Sequence, residues 1–437
     1  MCRLLPSVLG MSTTTHQQPG TGDSAPGRLL SLPLALTFLV EFTSLTSFFL
    51  LLSALPMLAA AAGASSSGAG LITGSLLLGT VTAEMAAAPG ISRFGYRAML
   101  AAGTALLGAP ALALLWHEPQ AVMTGVSFVR GFGFGLCGVT TGALTARLLP
   151  PARRGEGLGL LGLVSGVPAV IALPAGVWLA GHHLGAAAAA IAAAVGLLPL
   201  AVVRWLPGRA EAHGAPRPAH SSRVPGGALR LPLIFAACTI AAGVLDSFLP
   251  LAKGVSSNLS SAALLVTAVT ATLSRWQAGR HGDRYGHARL LIPALAVAAL
   301  GMAAMIGLSS PALVFASMVL FGAAFGVIEN ATFALLIEQL PEAKASALWN
   351  LAYDAGYGAG PAAFGLVAAR TGYPAAFALT GVLMLAVLPA ARRERKAAQV
   401  PDGLLDEGGA AVERPGGHVD EVEAQAEVGV LVDLLER

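Results

Sequence analysis

The chain has 437 residues, of which 55% are apolar before its 53 glycines are counted and only 11% are charged, against roughly 25% charged in ordinary soluble proteins. Too few polar side chains remain to cover a water-facing surface. The net charge of +3 conceals a basic body, with 24 Lys/Arg and 13 Asp/Glu over residues 1–396, and an acidic end, with 2 and 10 over 397–437; without a basic block interleaved with aromatics, nucleic acid is not an expected partner.

Taken in chain order, residues 1–28 read as a polar leader. Apolar runs near the 20 residues that cross about 30 Å of hydrocarbon then fall at 30–54, 68–88, 98–116, 120–148, 157–180 and 185–205. A Pro-, Gly-, Ser- and Arg-rich stretch, 206–229, separates them from a second set at 230–252, 260–279, 289–309, 311–338, 345–369 and 372–391. Twelve spans result, and they must be helices, because lipid offers no partner to an unpaired backbone group. The expected fold is an all-α membrane protein of two six-helix bundles, 29–205 and 230–392. The linker 206–229 joins them, and an acidic, disordered tail over 393–437 ends the chain.

Alternate loops carry 21 Lys/Arg on one side, Arg275, Arg280, Arg284 and Arg289 among them, against Lys253 and Arg370 on the other. That bias predicts a multi-pass protein of the plasma (inner) membrane with both termini cytoplasmic. Three dispersed cysteines, Cys2, Cys137 and Cys238, have no metal-like spacing. No phosphate-binding loop or nucleophile elbow occurs, so no cofactor, metal or enzymatic activity is expected.

Self-similarity is the next signal. Arg93-Phe94-Gly95 recurs as Arg284-Tyr285-Gly286, and the same offset of 191 residues relates Phe134-Gly135 to Phe325-Gly326, Thr141 to Thr332 and Leu149-Pro150 to Leu340-Pro341. A repeat spanning six helices returns the chain to the same side of the membrane. The halves are therefore parallel repeats about an axis along the membrane normal, with the path between them.

Gly279, Asp283, Arg284 and Gly286 match the loop motif that follows the second and eighth helices of the major facilitator superfamily, and Arg93, Gly95 and Arg97 keep part of the first copy, with Ala88 and Ser92 replacing its Gly and Asp. Arg130, trailed by Gly131, Gly133 and Gly135, resembles that family's fourth-helix arginine. The chain resembles this superfamily over about 30–391. The resemblance implies a two-lobed secondary transporter, drug- or metabolite-exporter-like, whose third, sixth, ninth and twelfth helices face lipid. It also implies a cytoplasmic gate at Arg93, Gly95, Arg97, Gly279, Asp283, Arg284 and Gly286. Glycines there let helix ends approach, and the Asp pairs with neighbouring arginines in one state and releases them in another.

A charge at mid-bilayer costs about 2.5–3.5 kcal/mol on insertion scales, so each intramembrane ionisable residue is a functional candidate. Six are expected: Glu41, Glu84, Arg130, Asp246, Glu329 and Asp354. The helices that resemble the lipid-facing set carry none. Glu41, with Thr37 and Ser44 on one face, and Asp354, with Asn350 one turn earlier, are the leading proton-coupling or substrate-cavity residues. Arg130, Glu329 and Asn330 join them, with Arg130 paired to Glu41 or Glu329 as the static alternative. Glu84 and Asp246 are weaker, being read equally well as interfacial. Trp349, Tyr353 and Tyr357 form a stripe that serves either packing or ligand binding. The expected activity is alternating-access transport of a small organic molecule by a monomer, coupled to protons and directed outward. A nutrient or organic-anion importer or uniporter of the same fold is the alternative.

Overall fold

The computed structural model describes residues 30–116, 119–149, 154–208 and 226–398. The expected leader, most of the linker and the acidic tail beyond Ala398 lie outside the described residues. Within them the chain is helical throughout. The first half comprises α1 (Leu32–Leu52), α2 (Ala54–Ala61), α3 (Ser66–Phe94), α4 (Tyr96–Gly108), α5 (Gln120–Leu148), α6 (Arg154–Gly181) and α7 (Gly185–Leu197). The second comprises α8 (Arg230–Phe248), α9 (Ser257–Tyr285), α10 (Ala288–Ala304), α11 (Pro311–Gln339), α12 (Glu342–Thr371), α13 (Tyr373–Leu385) and α14 (Leu388–Ala397). A break at Ser53 divides the first crossing into α1 and α2, and short 3-10 turns extend α4 and α7.

Eleven helical segments among the described residues are long and apolar enough to cross a membrane. The twelfth long helix, α12, has 30 residues but carries Asn350, Asp354, two tyrosines and four glycines. Its polarity is the first sign of where the site lies.

The 191-residue repeat is built into the packing. Gly95 and Gly286 both adopt positive φ, +83° and +90°, where the chain turns between helices; only a residue without Cβ takes that conformation at no cost. Ser65 caps α3 by accepting from the Gly68 amide at 3.2 Å, and Ser256, at the repeat position, caps α9 from the Leu259 amide at 3.1 Å. α3 lies on α5 as α9 lies on α11. In the first pair Gly131 and Gly135 abut the carbonyls of Leu76 and Thr80; in the second Gly322 and Gly326 abut those of Thr267 and Ala271. Every one of these residues maps onto its counterpart at the same offset. Small residues at such crossings let membrane helices approach closely, since no hydrophobic effect drives them together inside lipid.

A Cβ at residue 131 would collide with the Leu76 carbonyl, a backbone atom that cannot turn aside. Gly131→Val is therefore expected to lower stability by about 1–3 kcal/mol or more through overpacking, whereas Gly138→Ala, which meets nothing within 4 Å, should be neutral. Thermal unfolding of the two purified variants checks the contrast.

The turns at Gly95 and Gly286 lie at one end of the bundle, with Arg93, Arg97, Arg147, Arg230 and Arg284 nearby; this is the arginine-rich end. The two halves meet from the opposite end inward. Tyr373 and Ser66 share a hydrogen bond of 3.1 Å, Thr73 and Ser247 one of 2.9 Å, and Ser261 donates to the Pro174 carbonyl at 3.0 Å. Along α3 and α12, Gly365 abuts Ser66, Gly70 abuts Pro361, and Gly74 and Gly358 abut each other's helices. This seam runs inward as far as Glu84 and Asp354. Toward the arginine-rich end, several contacts among the described residues lie within one half. Arg97 donates to the Leu206 carbonyl at 2.7 Å, Arg147 lies over Tyr96, and Arg230 and Gln339 approach Glu394 at 3.7 and 3.0 Å. Glu394 is buried on α14, which carries the second half's helical structure into the stretch expected as tail.

Candidate functional site

The polar residues of the interior gather at one depth. Glu41, Glu84, Arg275, Glu329, Asn350 and Asp354 lie eight to twelve residues from the arginine-rich ends of α1, α3, α9, α11 and α12, about 12–18 Å at 1.5 Å per residue. They form three groups.

The first is in the N-terminal half. Glu41 accepts a short hydrogen bond from Thr141 Oγ1 and a longer one, 3.5 Å, from Ser165 Oγ, so α5 and α6 both hold an acid carried by α1. Arg130 is not its partner. Only 1% exposed, Arg130 donates to backbone carbonyls, Nε to Leu107 at 3.1 Å and Nη2 to Ser47 at 2.8 Å, while Nη1 has no partner among the described residues. The expected pairing of Arg130 with Glu41 or Glu329 is thus corrected. The guanidinium ties α5 to α1 and α4 through carbonyls, and Glu329 is engaged elsewhere.

The second group spans the halves. The Glu84 and Asp354 carboxyls lie close enough to influence each other, α3 to α12, at the inward limit of the seam. An ionised carboxylate only accepts hydrogen bonds, so two neighbouring acids can bond to each other only with a proton between them. Asp354 is 7% exposed. Glu84, which the sequence reads as interfacial, meets it because the glycine seam brings α3 against α12.

The third group is a pocket of about 240 Å³ in the C-terminal half, lined by Arg275, Glu329, Asn330, Phe333, Ser346, Trp349 and Asn350. Arg275 Nη1 lies 3.1 Å from Glu329 Oε1; the arginine is half exposed and the glutamate nearly buried. The expectation that Arg275 is a loop arginine is corrected here: α9 continues to Tyr285, ten residues further. The repeat held the signal for this, since Arg275 stands 191 residues after Glu84. The same position thus bears an acid in one half and a base in the other. Trp349 stacks on Phe235 at 4.4 Å, meets Phe333 edge-on at 5.4 Å and donates from Nε1 to Thr332 at 3.4 Å. Thr141 and Thr332, equivalent in the repeat, therefore both bond to site residues. Gly279 passes close to Asn330, whose Oδ1 is buried without a partner among the described residues.

Tyr353 and Tyr357 continue the stack along α12, the latter pair 5.4 Å apart, and the Tyr357 hydroxyl donates to Asp246. Asp246 lies two residues from the end of α8 remote from the arginines, apart from the other acids. Among the described residues, the gate residues are not joined across the halves. Asp283, 76% exposed, faces His287 at 3.9 Å rather than an arginine; Arg93 lies over Phe94, and Arg97 holds Leu206.

The profile of the Major Facilitator Superfamily matches residues 37–346 and 254–413. The chain belongs to the major facilitator superfamily. Solved structures agree on the fold. Over 84% of this chain and all of the other, it is similar to the nucleoside transporter NupG, with 14% identity and a TM-score of 0.62. A bacterial homologue of the human lysosomal transporter Spinster, inward-facing and unoccupied, is 15% identical over 84% of this chain and 97% of its own, with a TM-score of 0.65. A peptide transporter, POT, in complex with sulfate is 16% identical over 83% and 95%, with a TM-score of 0.66. No curated protein matches the chain. Membership makes the chain a multi-pass membrane transporter of small molecules rather than an enzyme.

Proposed function

We propose that this superfamily member exports a small organic molecule in exchange for protons, working as a monomer in the plasma (inner) membrane with its arginine-rich end and both termini in the cytoplasm. The observation that carries the reading is the juxtaposition of the Glu84 and Asp354 carboxyls between the halves; we take the pair to share one proton in this state. With the proton in place the seam is complete and the far end is closed. Loss of the proton leaves two carboxylates in contact in a poorly screened interior, and their repulsion opens the seam. Protonation state and access thus become one equilibrium, which is what an ion-coupled carrier requires.

The cycle follows. A proton taken up from outside closes the far seam and turns the carrier inward. Its release to the cytoplasm, together with filling of the pocket beside Glu329 and Trp349, favours the outward state. Each proton moving inward yields about 2.3 kcal/mol per 100 mV of membrane potential, enough to drive export uphill.

A single experiment tests coupling. In proteoliposomes of the purified chain, an imposed proton gradient is expected to drive accumulation of a transported compound, and dissipating it with a protonophore should reduce movement to equilibration. Accumulation that persists after dissipation overturns the coupling. The half-exposed Arg275 guanidinium in the pocket favours a second reading, import of an organic anion. Cells lacking the protein separate the two: they should hold more of the substrate if it is exported and less if it is imported.

A further inference from the structure

The pocket in the C-terminal half contains an unusual combination for a membrane interior. It holds one acid and one base in mutual contact, two aromatic walls and an unpartnered carbonyl. Taking the pocket as the substrate site, and so resting on the transport reading above, we infer that its substrate class is a compact aromatic zwitterion carrying N–H donors, with the anionic group on Arg275 and the cationic group on Glu329.

The argument begins with charge. Arg275 and Glu329 neutralise each other through a single 3.1 Å contact. A guanidinium has five N–H donors and a carboxylate about four acceptor positions, so both retain unused capacity toward the pocket. A ligand with only a positive charge would compete for Glu329 and leave Arg275, itself half exposed, without its acid. A ligand with only a negative charge would strand Glu329. The larger cost falls on Glu329, which is nearly buried, because taking the partner from a buried charge is costly chiefly through the charge left behind. A zwitterion exchanges one internal pair for two ligand pairs and strands neither.

The remaining walls set the ligand's other end. Trp349 is held against Phe235 on one side and meets Phe333 edge-on, which fixes its orientation for stacking a further ring. Asn330 Oδ1, buried and unpartnered, requires a donor, and an ammonium or ring N–H supplies one. The volume of about 240 Å³, against the roughly 300–1,000 Å³ of sites for drug-sized ligands, suits a compact molecule.

The test uses the full chain in detergent and reads binding by isothermal titration together with thermal unfolding. Five probes suffice: phenylalanine, tyrosine and tryptophan as zwitterions, and phenethylamine and 3-phenylpropionate as carriers of the same ring with one charge each. At least one zwitterion is expected to bind at least about tenfold more tightly than either single-charge analogue. Glu329→Gln should move the ranking toward 3-phenylpropionate, and Arg275→Gln toward phenethylamine, a change of preference that a generally loosened pocket would not produce. Equal binding of a single-charge analogue, or no binding of any zwitterion to a chain that still unfolds cooperatively, overturns the inference. Proton-driven transport of some other compound alongside that failure would leave the transport reading standing. Zwitterion binding without proton dependence would overturn only the coupling.

Discussion

Asp354→Asn is expected to abolish proton-driven accumulation while leaving the protein folded. The asparagine amide donates to Glu84 without any proton being shared, so the α3–α12 bond becomes permanent and the link between protonation and access is lost. Coupling free energies of this kind are typically 1–3 kcal/mol, and the accumulation ratio should fall by about tenfold or more. Glu84→Gln should act the same way from the other side of the seam. The double variant should be no worse than either single one, since both remove the same shared proton. The measurement is the steady-state accumulation ratio in proteoliposomes across a stepped pH gradient, with unfolding temperature as the control for folding. Its sign is fixed by the cycle: the native ratio increases as the outside is made more acidic, and the variants' ratios stay flat. Unchanged pH dependence in both single variants would place coupling elsewhere, with Glu41, held by Thr141 and Ser165, as the next residue to test.

Gly70→Leu is expected to shift the carrier away from the state described here. Gly70 sits on the seam, where a Cβ would strike the Pro361 carbonyl of the other half. Gly131, by contrast, lies within one half. A bulky side chain at Gly131 damages a bundle, whereas one at Gly70 wedges two bundles apart at the end remote from the arginines. Moving a two-state population from 1:99 to 99:1 takes about 5.5 kcal/mol, and a clash with backbone is large enough to make a substantial part of that shift. Transport should be lost with little change in the stability of each half. Thiol labelling of a cysteine placed at Ser66 or Tyr373, residues hydrogen-bonded across the closed end, should rise several-fold over the same cysteine in the native background. Unaltered labelling together with lost transport would falsify the seam as a gate.

The first prediction involves residues that can be named from sequence but not placed by it, and the second a glycine that no sequence motif marks. Asp354 and Glu84 were each visible as an acid inside an apolar run; nothing in their spacing shows that they touch. The contact depends on the glycines of α3 and α12, which allow two helices separated by most of the chain to approach closely. Arg130 shows the reverse failure. As a lone intramembrane cation it invited pairing with an acid, but backbone carbonyls exposed at Leu107 and Ser47 take up its donors instead. Arg275 reads as a loop arginine because a helix that outlasts the hydrocarbon thickness looks, in composition alone, like a span followed by a loop.

The chain's architecture follows from the sequence by itself. The scarcity of charge requires lipid as solvent, lipid requires helices, and the 191-residue register, retained in Gly95 and Gly286, Ser65 and Ser256, Gly131 and Gly322, imposes two like bundles. These are properties of hydrogen-bond satisfaction and close approach, which act locally and leave periodic traces. Only the tertiary structure decided which charges meet: Glu84 with Asp354 across the halves, Arg275 with Glu329 inside one, and Glu41 with two hydroxyls. Partner choice depends on the distances between helices far apart in sequence, and no local periodicity records those distances.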